Sequence, residues 1–231
     1  MVFFVTRGLH KKSYNPVFAE NEWSAIIEAC HANEVPDEWV ADGTCYKDMD
    51  IGGTPYRIDI IGKNHDDLSD GTGKAPLTFQ LHDCYATDYP MNDTNTNVGG
   101  WRDCQMRTQT MPSLKALMPA EVQAGIRPVK KLTSAGNKSS SIVTTNDKLF
   151  LPSEIEIFGS TTYSFAGEGT QYAYYQAGNS KVKYQNGSAN NWLERSPYSA
   201  VSTSVCLVDT KGNATQRYVS NSYGVAFGFC F

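Results

Sequence analysis

The sequence predicts an α+β domain, and three observations carry that prediction. Two internal segments alternate apolar and polar residues, and the C-terminus alternates large and small ones, with the period of two that a pleated strand imposes. One segment near the N-terminus repeats its apolar residues at helical spacing. The stretches between them are rich in Gly, Asn, Asp, Ser and Thr, which build turns and ordered loops, and none reads as a linker between independent domains. The expectation is a single domain over residues 21–231, with short antiparallel strands, two or three helices and long ordered loops. Residues 1–20 read as an arm that leads into the domain or docks on a partner.

Each element has its own signal. Glu20 to Ala32 places Trp23, Ile26, Ile27 and Cys30 on one helical face, and Pro36 and Asp37 end that element. Thr54–Gly62 reads as a strand with Tyr56, Ile58 and Ile60 on one face and Arg57 and Asp59 on the other. Asn64–Lys74 is a turn-rich loop, and Leu77–Leu81 alternates again. Tyr89–Gly100 holds four Asn or Asp residues and reads as loop. Trp101–Met118 reads as one helix or two short ones broken at Pro112, with Met106, Leu114, Leu117 and Met118 as anchors. Ile126–Leu132 and Lys148–Leu151 are short strands flanking a polar turn at Asn137–Ser141. Ser153 can cap the helical turn that follows it, with Glu156 reaching back. Gly159–Gly187 is irregular and carries a tyrosine cluster at Tyr172, Tyr174 and Tyr175. At the C-terminus Val225, Phe227, Phe229 and Phe231 share one face, and Ala226, Gly228 and Cys230 the other. The rings fill a core, while the small side lets another element approach closely.

Composition narrows the function. The 231 residues are 40% hydrophobic and 12% aromatic, enough for a core, but only 19% charged, below the usual quarter (about 25%). A net charge of −4 gives no basic footprint, so nucleic acid is not an expected partner. No apolar run is long enough to insert in a membrane. The apolar run Met1–Val5 is too short for a signal peptide and Arg7 follows closely, so folding in a cytoplasm is expected. In such a compartment the six scattered cysteines read as free thiols, with Cys84–Cys104 or Cys206–Cys230 as the alternative disulfides.

Catalytic and metal motifs are scarce. His65-Asp66-Asp67 and His82-Asp83-Cys84 each set a base beside a carboxylate, but neighbours along a strand point to opposite faces and adjacency does not make a dyad. No Gly-rich phosphate loop, HExxH or GxSxG occurs. Asp66, Asp67 and Asp70 hint at a calcium loop, but the third and twelfth positions are Leu68 and Leu77. These aspartates read instead as turn residues that cap local amides. Trp101 and Trp192 read as core in preference to ligand platforms, and Arg195 as the centre of a structural hydrogen-bond network. No catalytic residue, metal or cofactor is expected.

The last forty residues are the most suggestive. A rigid frame opens at Asn191–Pro197 and closes at Gly224–Phe231. Between Tyr198 and Tyr223 lie mostly Ser, Thr, Asn, Gln and Tyr, with only Asp209, Lys211 and Arg217 charged. Such residues make adaptable contact surfaces at low entropic cost. A hairpin of residues 203–208 and 215–219 around Lys211-Gly212-Asn213 would expose alternate side chains. The candidate ligand-binding residues are Tyr198, Ser202, Ser204, Asp209, Asn213, Thr215, Arg217, Tyr218, Asn221 and Tyr223.

Several motifs, in order, resemble a domain of unknown function widespread in phages and prophages of gut bacteria. They are Ile60–Leu68, Gly99-Gly100-Trp101 with Met106-Arg107, Lys148–Glu154, Trp192–Pro197 and the Gly224–Phe231 ending. The likeness runs from Trp23 to the end. It departs from the usual pattern at Asn191, where a second Trp is common, and at Glu194. Proteins of this type resemble the C-type-lectin-like fold, whose N- and C-terminal strands pair and whose long loops carry a ligand surface. Some similar proteins are diversified by retroelements in a C-terminal stretch. The resemblance implies a virion protein of tail or fibre that binds a host-surface protein or glycan and contacts other virion proteins. A homo-oligomer, a trimer first, would multiply weak sites through avidity. The alternatives are a module that contacts only other virion proteins, and an enzyme related to formylglycine-generating proteins, which would need paired redox cysteines.

Overall fold

The computed structural model describes residues 13–231; most of the predicted arm, residues 1–12, lies outside the described residues. The part of that arm that is described joins the domain. Phe18 is buried, edge-on to Trp39 at 5.2 Å between ring centres and stacked on Phe79 at 6.2 Å.

The central element is a five-stranded antiparallel sheet. Its strands are β1 (Tyr46–Ile51), β2 (Thr54–Lys63), β3 (Leu77–Leu81), β6 (Leu149–Phe150) and β12 (Gly228–Cys230), in the order β1-β2-β3-β12-β6. Gly52-Gly53 close the β1–β2 hairpin with positive φ at both residues, the backbone that a two-residue turn between twisted strands requires. β12 lies between β3 and β6, and the close approach explains Gly228: a Cβ there would stand 2.8 Å from the Phe79 carbonyl oxygen. Phe229 stacks on Phe79 at 5.2 Å, and Phe231 contacts Phe79 at 5.2 Å and Trp23 at 6.1 Å. Trp23 comes from α1 (Trp23–His31), which buries Trp23, Ile26, Ala29 and Cys30. The C-terminal strand therefore completes the core, but its partners are not those the lectin resemblance implies. β1, the first strand among the described residues, pairs with β2, and β12 pairs with β3 and β6.

Two hairpins and a second sheet complete the β structure. β4 (Val129–Ser134) pairs with β5 (Ile142–Asp147), and β7 (Lys183–Gln185) with β8 (Ser188–Asn190). β9 (Trp192–Pro197), β10 (Ser204–Val208) and β11 (Ala214–Tyr218) form a three-stranded antiparallel sheet with β10 in the middle. The α+β class holds, but the helices are more numerous and shorter than expected. Six α-helices are present among the described residues: α1, α2 (Gly100–Asp103), α3 (Met111–Lys115), α4 (Ala120–Gly125), α5 (Glu154–Phe158) and α6 (Ala173–Gln176). Frequent Gly, Pro and Asn cut the helical stretches short.

Pro112 does not break its helix. It is the second residue of α3 and follows directly on a π-helical turn, which already interrupts the regular ladder that the missing amide hydrogen would otherwise break. The interruption falls at Cys104, whose backbone is extended, and a π-helical turn at Met106–Thr110 then leads into α3.

Candidate functional site

The predicted hairpin is present as β10–β11, paired from Ser204 opposite Tyr218 to Val208 opposite Ala214. Its turn is built by Asp209, whose carboxylate accepts from the amides of Lys211 and Asn213, both at 2.8 Å. Burial works to raise this carboxyl, but those amides hold it below its ordinary value. Asp209 and Asn213 therefore spend their polar groups on the turn, at the far tip of the hairpin.

The expected alternation holds on neither strand. β10 is central in its sheet, so all five of its residues are buried. Ser204 was expected on the exposed face and is 4% exposed instead. Its carbonyl accepts from the Asn97 side-chain amide at 2.8 Å and the Tyr198 amide at 3.1 Å. β11 is the edge strand, and there Arg217 and Tyr218 stand exposed with Thr215 half-buried. Tyr198, Ser204, Arg217 and Tyr218 meet around a shallow hollow of about 300 Å³, together with Val201, Thr203 and Gln216. Tyr218 is 56% exposed and Val201 41%. Arg217 lies along its own strand, donating through Nη1 to the Thr215 hydroxyl at 3.0 Å and the Gln216 carbonyl at 2.8 Å. Ser202 is half-buried in the loop before β10, where its carbonyl accepts from the Asn97 amide at 2.6 Å. Asn221 and Tyr223 do not line the hollow. Asn221 is exposed and donates to the Tyr223 hydroxyl at 3.3 Å, while the Tyr223 backbone pairs with Tyr89.

The sequence reading missed Tyr163. Its ring meets Tyr198 edge-on at 5.7 Å, and its carbonyl accepts from the amide and the hydroxyl of Ser199 at 2.8 and 2.7 Å. The loop that carries Tyr163 is gathered by Glu154, a fully buried carboxylate. Glu154 accepts from the amides of Thr162, Tyr163 and Ser164 at 3.0, 3.0 and 2.7 Å and from the Ser164 hydroxyl at 2.7 Å. The only sequence signal was the position of Glu154, just after the capping Ser153.

Beneath the face lies a buried charge cluster. All six residues of β9 are buried. Arg195 donates to Glu156, to the carbonyls of Leu132, Leu151 and Glu168, and to the Thr133 hydroxyl, which ties four segments together. Lys131 donates to Asp66 at 2.6 Å, Glu156 at 3.1 Å and the Tyr172 hydroxyl at 2.6 Å, and its ammonium lies 3.8 Å over the Phe150 ring. Glu156 also completes the predicted capping box with Ser153. Burial alone would raise the Glu156 carboxyl, but Arg195 and Lys131 hold it below its ordinary value. Asp66 behaves likewise through Lys131. Asp66 was expected in a solvated turn; the cation at Lys131 draws it inward instead.

Two cations thus balance two carboxylates, and Glu154, Glu168 and Glu194 have no ion-pair partner among the described residues. Burial pushes Glu168 up to about 7 although the Ser196 hydroxyl and the Ser134 amide donate to it. Burial pushes Glu194 well above the usual carboxylate range, with Glu154 and Glu168 adding repulsion. Both Glu194 carboxyl oxygens are buried without a hydrogen-bond partner among the described residues.

The remaining flagged residues have structural partners. Trp101 and Trp192 are fully buried, with indole hydrogens on Asp147 and the Lys181 carbonyl, both at 2.9 Å. Asp67 pairs with Lys74 at 3.0 Å and Asp70 with Arg127 at 2.8 Å. His65 packs against the Tyr172 ring at 4.2 Å between centres, while Asp66 faces Lys131. His82 does find a carboxylate, but it is Asp59 on β2, at 2.6 Å, and not its neighbour Asp83. All six cysteines are free. Burial pushes the Cys206 and Cys230 thiols well above their ordinary value.

No helix among the described residues is long and apolar enough to cross a membrane. A family model described as a domain of unknown function (DUF6273) matches residues 77–230, from β3 through the charge cluster and the hairpin to β12. No curated protein and no solved structure matches the chain.

Proposed function

The chain belongs to the DUF6273 family, a domain of unknown function, and we propose that it acts as a recognition module through the β10–β11 face. The observation that carries the reading is the hollow where Tyr198, Arg217 and Tyr218 converge at an exposed strand edge. Two tyrosines and an arginine around a small concavity are the residue types that dominate binding energy at interfaces. The support behind them is stiff. Tyr163 buttresses Tyr198, Glu154 gathers the loop of Tyr163, and Arg195 clamps the strand next to β10. A surface held this way loses little entropy on binding.

The setting in this reading is a phage or prophage virion, in a tail or fibre, with a C-type-lectin-like arrangement of loops around the sheet. The partner is a host-surface protein or glycan, and copies of the chain act together, as a trimer, so that weak sites add. The resemblance of the ordered motifs supports this setting, and the polar, tyrosine-bearing edge is what a receptor-binding part requires.

The test is adsorption to host cells by particles carrying Tyr198→Ala and Tyr218→Ala. Both rings are partly exposed, so the fold survives and adsorption is lost. Adsorption at the wild-type rate would refute the site.

A further inference from the structure

We infer that the cleft between β2 and the β7–β8 hairpin is a second ligand site, one that takes a neutral, hydroxyl-bearing molecule such as a sugar residue. The inference uses no residue of the β10–β11 face and does not depend on the function proposed for it. The cleft holds about 440 Å³, and its walls include Tyr56, Arg57, His82, Asp83, Cys84 and Tyr184.

The first argument is the state of His82. Asp59 is 2% exposed and accepts from Arg57 Nε at 2.8 Å, from the Tyr174 hydroxyl at 3.3 Å and from His82 Nδ1 at 2.6 Å. Burial works to raise the Asp59 carboxyl, but His82 and Arg57 hold it below its ordinary value. An ionised carboxylate only accepts, so Nδ1 supplies the hydrogen of that bond and Nε2 is left for a second partner. The ring is 35% exposed where it lines the cleft, and no group among the described residues bonds Nε2. The pair therefore presents a fixed polar ring nitrogen to whatever enters.

The second argument is the wall. Tyr56 stacks on Tyr85 at 5.4 Å, and its hydroxyl accepts from the Ala86 amide at 3.2 Å. Tyr184 is 49% exposed and is held by its backbone amide on Asp83 at 2.9 Å. One anchored ring and one exposed ring offer apolar faces beside polar groups, the combination that suits a molecule with both C–H and O–H surfaces.

The third argument is charge. Arg57 and Asp83 contribute opposite charges to the walls, so neither an anion nor a cation is favoured. A hydroxyl group both donates and accepts, so it can bond Nε2 and Arg57 or a tyrosine hydroxyl without bringing a net charge. Covalent chemistry is not what the cleft offers, because burial pushes the Cys84 thiol up to about 12, far from a thiolate nucleophile.

The experiment is nuclear magnetic resonance of the full chain labelled with ¹⁵N-histidine. It is titrated with methyl glycosides of glucose, galactose, mannose and N-acetylglucosamine, and separately with inorganic phosphate. At least one glycoside shifts the His82 Nε2 resonance in a saturable way and phosphate does not. Tyr184→Ala, a partly exposed change that spares the fold, weakens that binding about tenfold; Tyr218→Ala leaves it unchanged. No saturable response to any glycoside, a response to phosphate in its place, or undiminished binding by Tyr184→Ala overturns the inference.

Discussion

Arg195 and Glu156 form a two-pronged ion pair with no solvent exposure at the arginine, Nη2 lying 2.9 Å from Oε1. The pair joins β9 to the start of α5 and stands directly behind the strand that supports the candidate face. Replacing Arg195 by Leu leaves Glu156 charged and buried with Lys131 as its remaining cation. The expected cost is about 3–5 kcal/mol, read by urea denaturation. Arg195→Lys loses nearly as much, because a single ammonium cannot reach the carbonyls of Leu132, Leu151 and Glu168 together. A loss below about 1 kcal/mol, the scale of a surface pair, would show that the cluster is not a clamp.

Glu194 gives the opposite expectation. Its carboxyl is buried and unpartnered, so an apolar side chain of similar size removes a penalty and leaves no partner orphaned. Glu194→Met raises stability by about 1–3 kcal/mol at pH 7, measured by the denaturation midpoint. Destabilisation by the same amount would reveal a role for that carboxyl.

Glu168 makes stability depend on pH. Its carboxyl sits at about 7 in the folded chain against an ordinary 4.5, so the folded state keeps a proton that the unfolded state releases. Stability on this account is full below about pH 4.5 and falls as pH rises to about 7, by about 3 kcal/mol at most. Asp66 and Glu156 act in the other sense, since both are held below their ordinary values and lose their contribution as pH falls. Stability is therefore greatest in mildly acidic solution, and Glu168→Gln flattens the decline on the alkaline side. Thermal unfolding across that range checks both statements.

The C-terminal strand gives the plainest packing prediction. Phe229 is fully buried and stacks on Phe79. Phe229→Ala costs about 3–5 kcal/mol, and removal of Phe229–Phe231 leaves the β3–β6 gap open and the chain unfolded, as read by circular dichroism.

How much of this was legible follows from which forces write themselves into local sequence. α1, β2, β3 and the C-terminal strand were readable because side-chain character repeats along each with a helical or strand period, although the structure buries both faces of β3 and β12. The capping box at Ser153 and Glu156 was readable because it is local. β1 was missed although Gly52-Gly53 marks its hairpin, since Tyr46–Ile51 is mostly polar on its outer face. The charge cluster was invisible: Lys131 and Asp66 are 65 residues apart, and nothing in a period separates a buried ion from a solvated one. The same holds for His82, whose carboxylate arrives from the adjacent strand and not from the next residue. On the candidate face the hairpin was readable, but its exposure was not, because the burial of Ser204 depends on β9 flanking β10.

The central claim is that the edge around Tyr198, Arg217 and Tyr218 faces outward to meet a foreign surface. Hydroxyl-radical footprinting of the assembled particle, before and after it engages host cells, measures this most directly. The account predicts that Tyr218 is labelled freely in the particle alone and becomes protected on host contact, while the exposed Leu117, which lines neither the hollow nor the cleft, serves as the internal reference. Tyr218 already protected in the free particle, or equally labelled before and after contact, would contradict it.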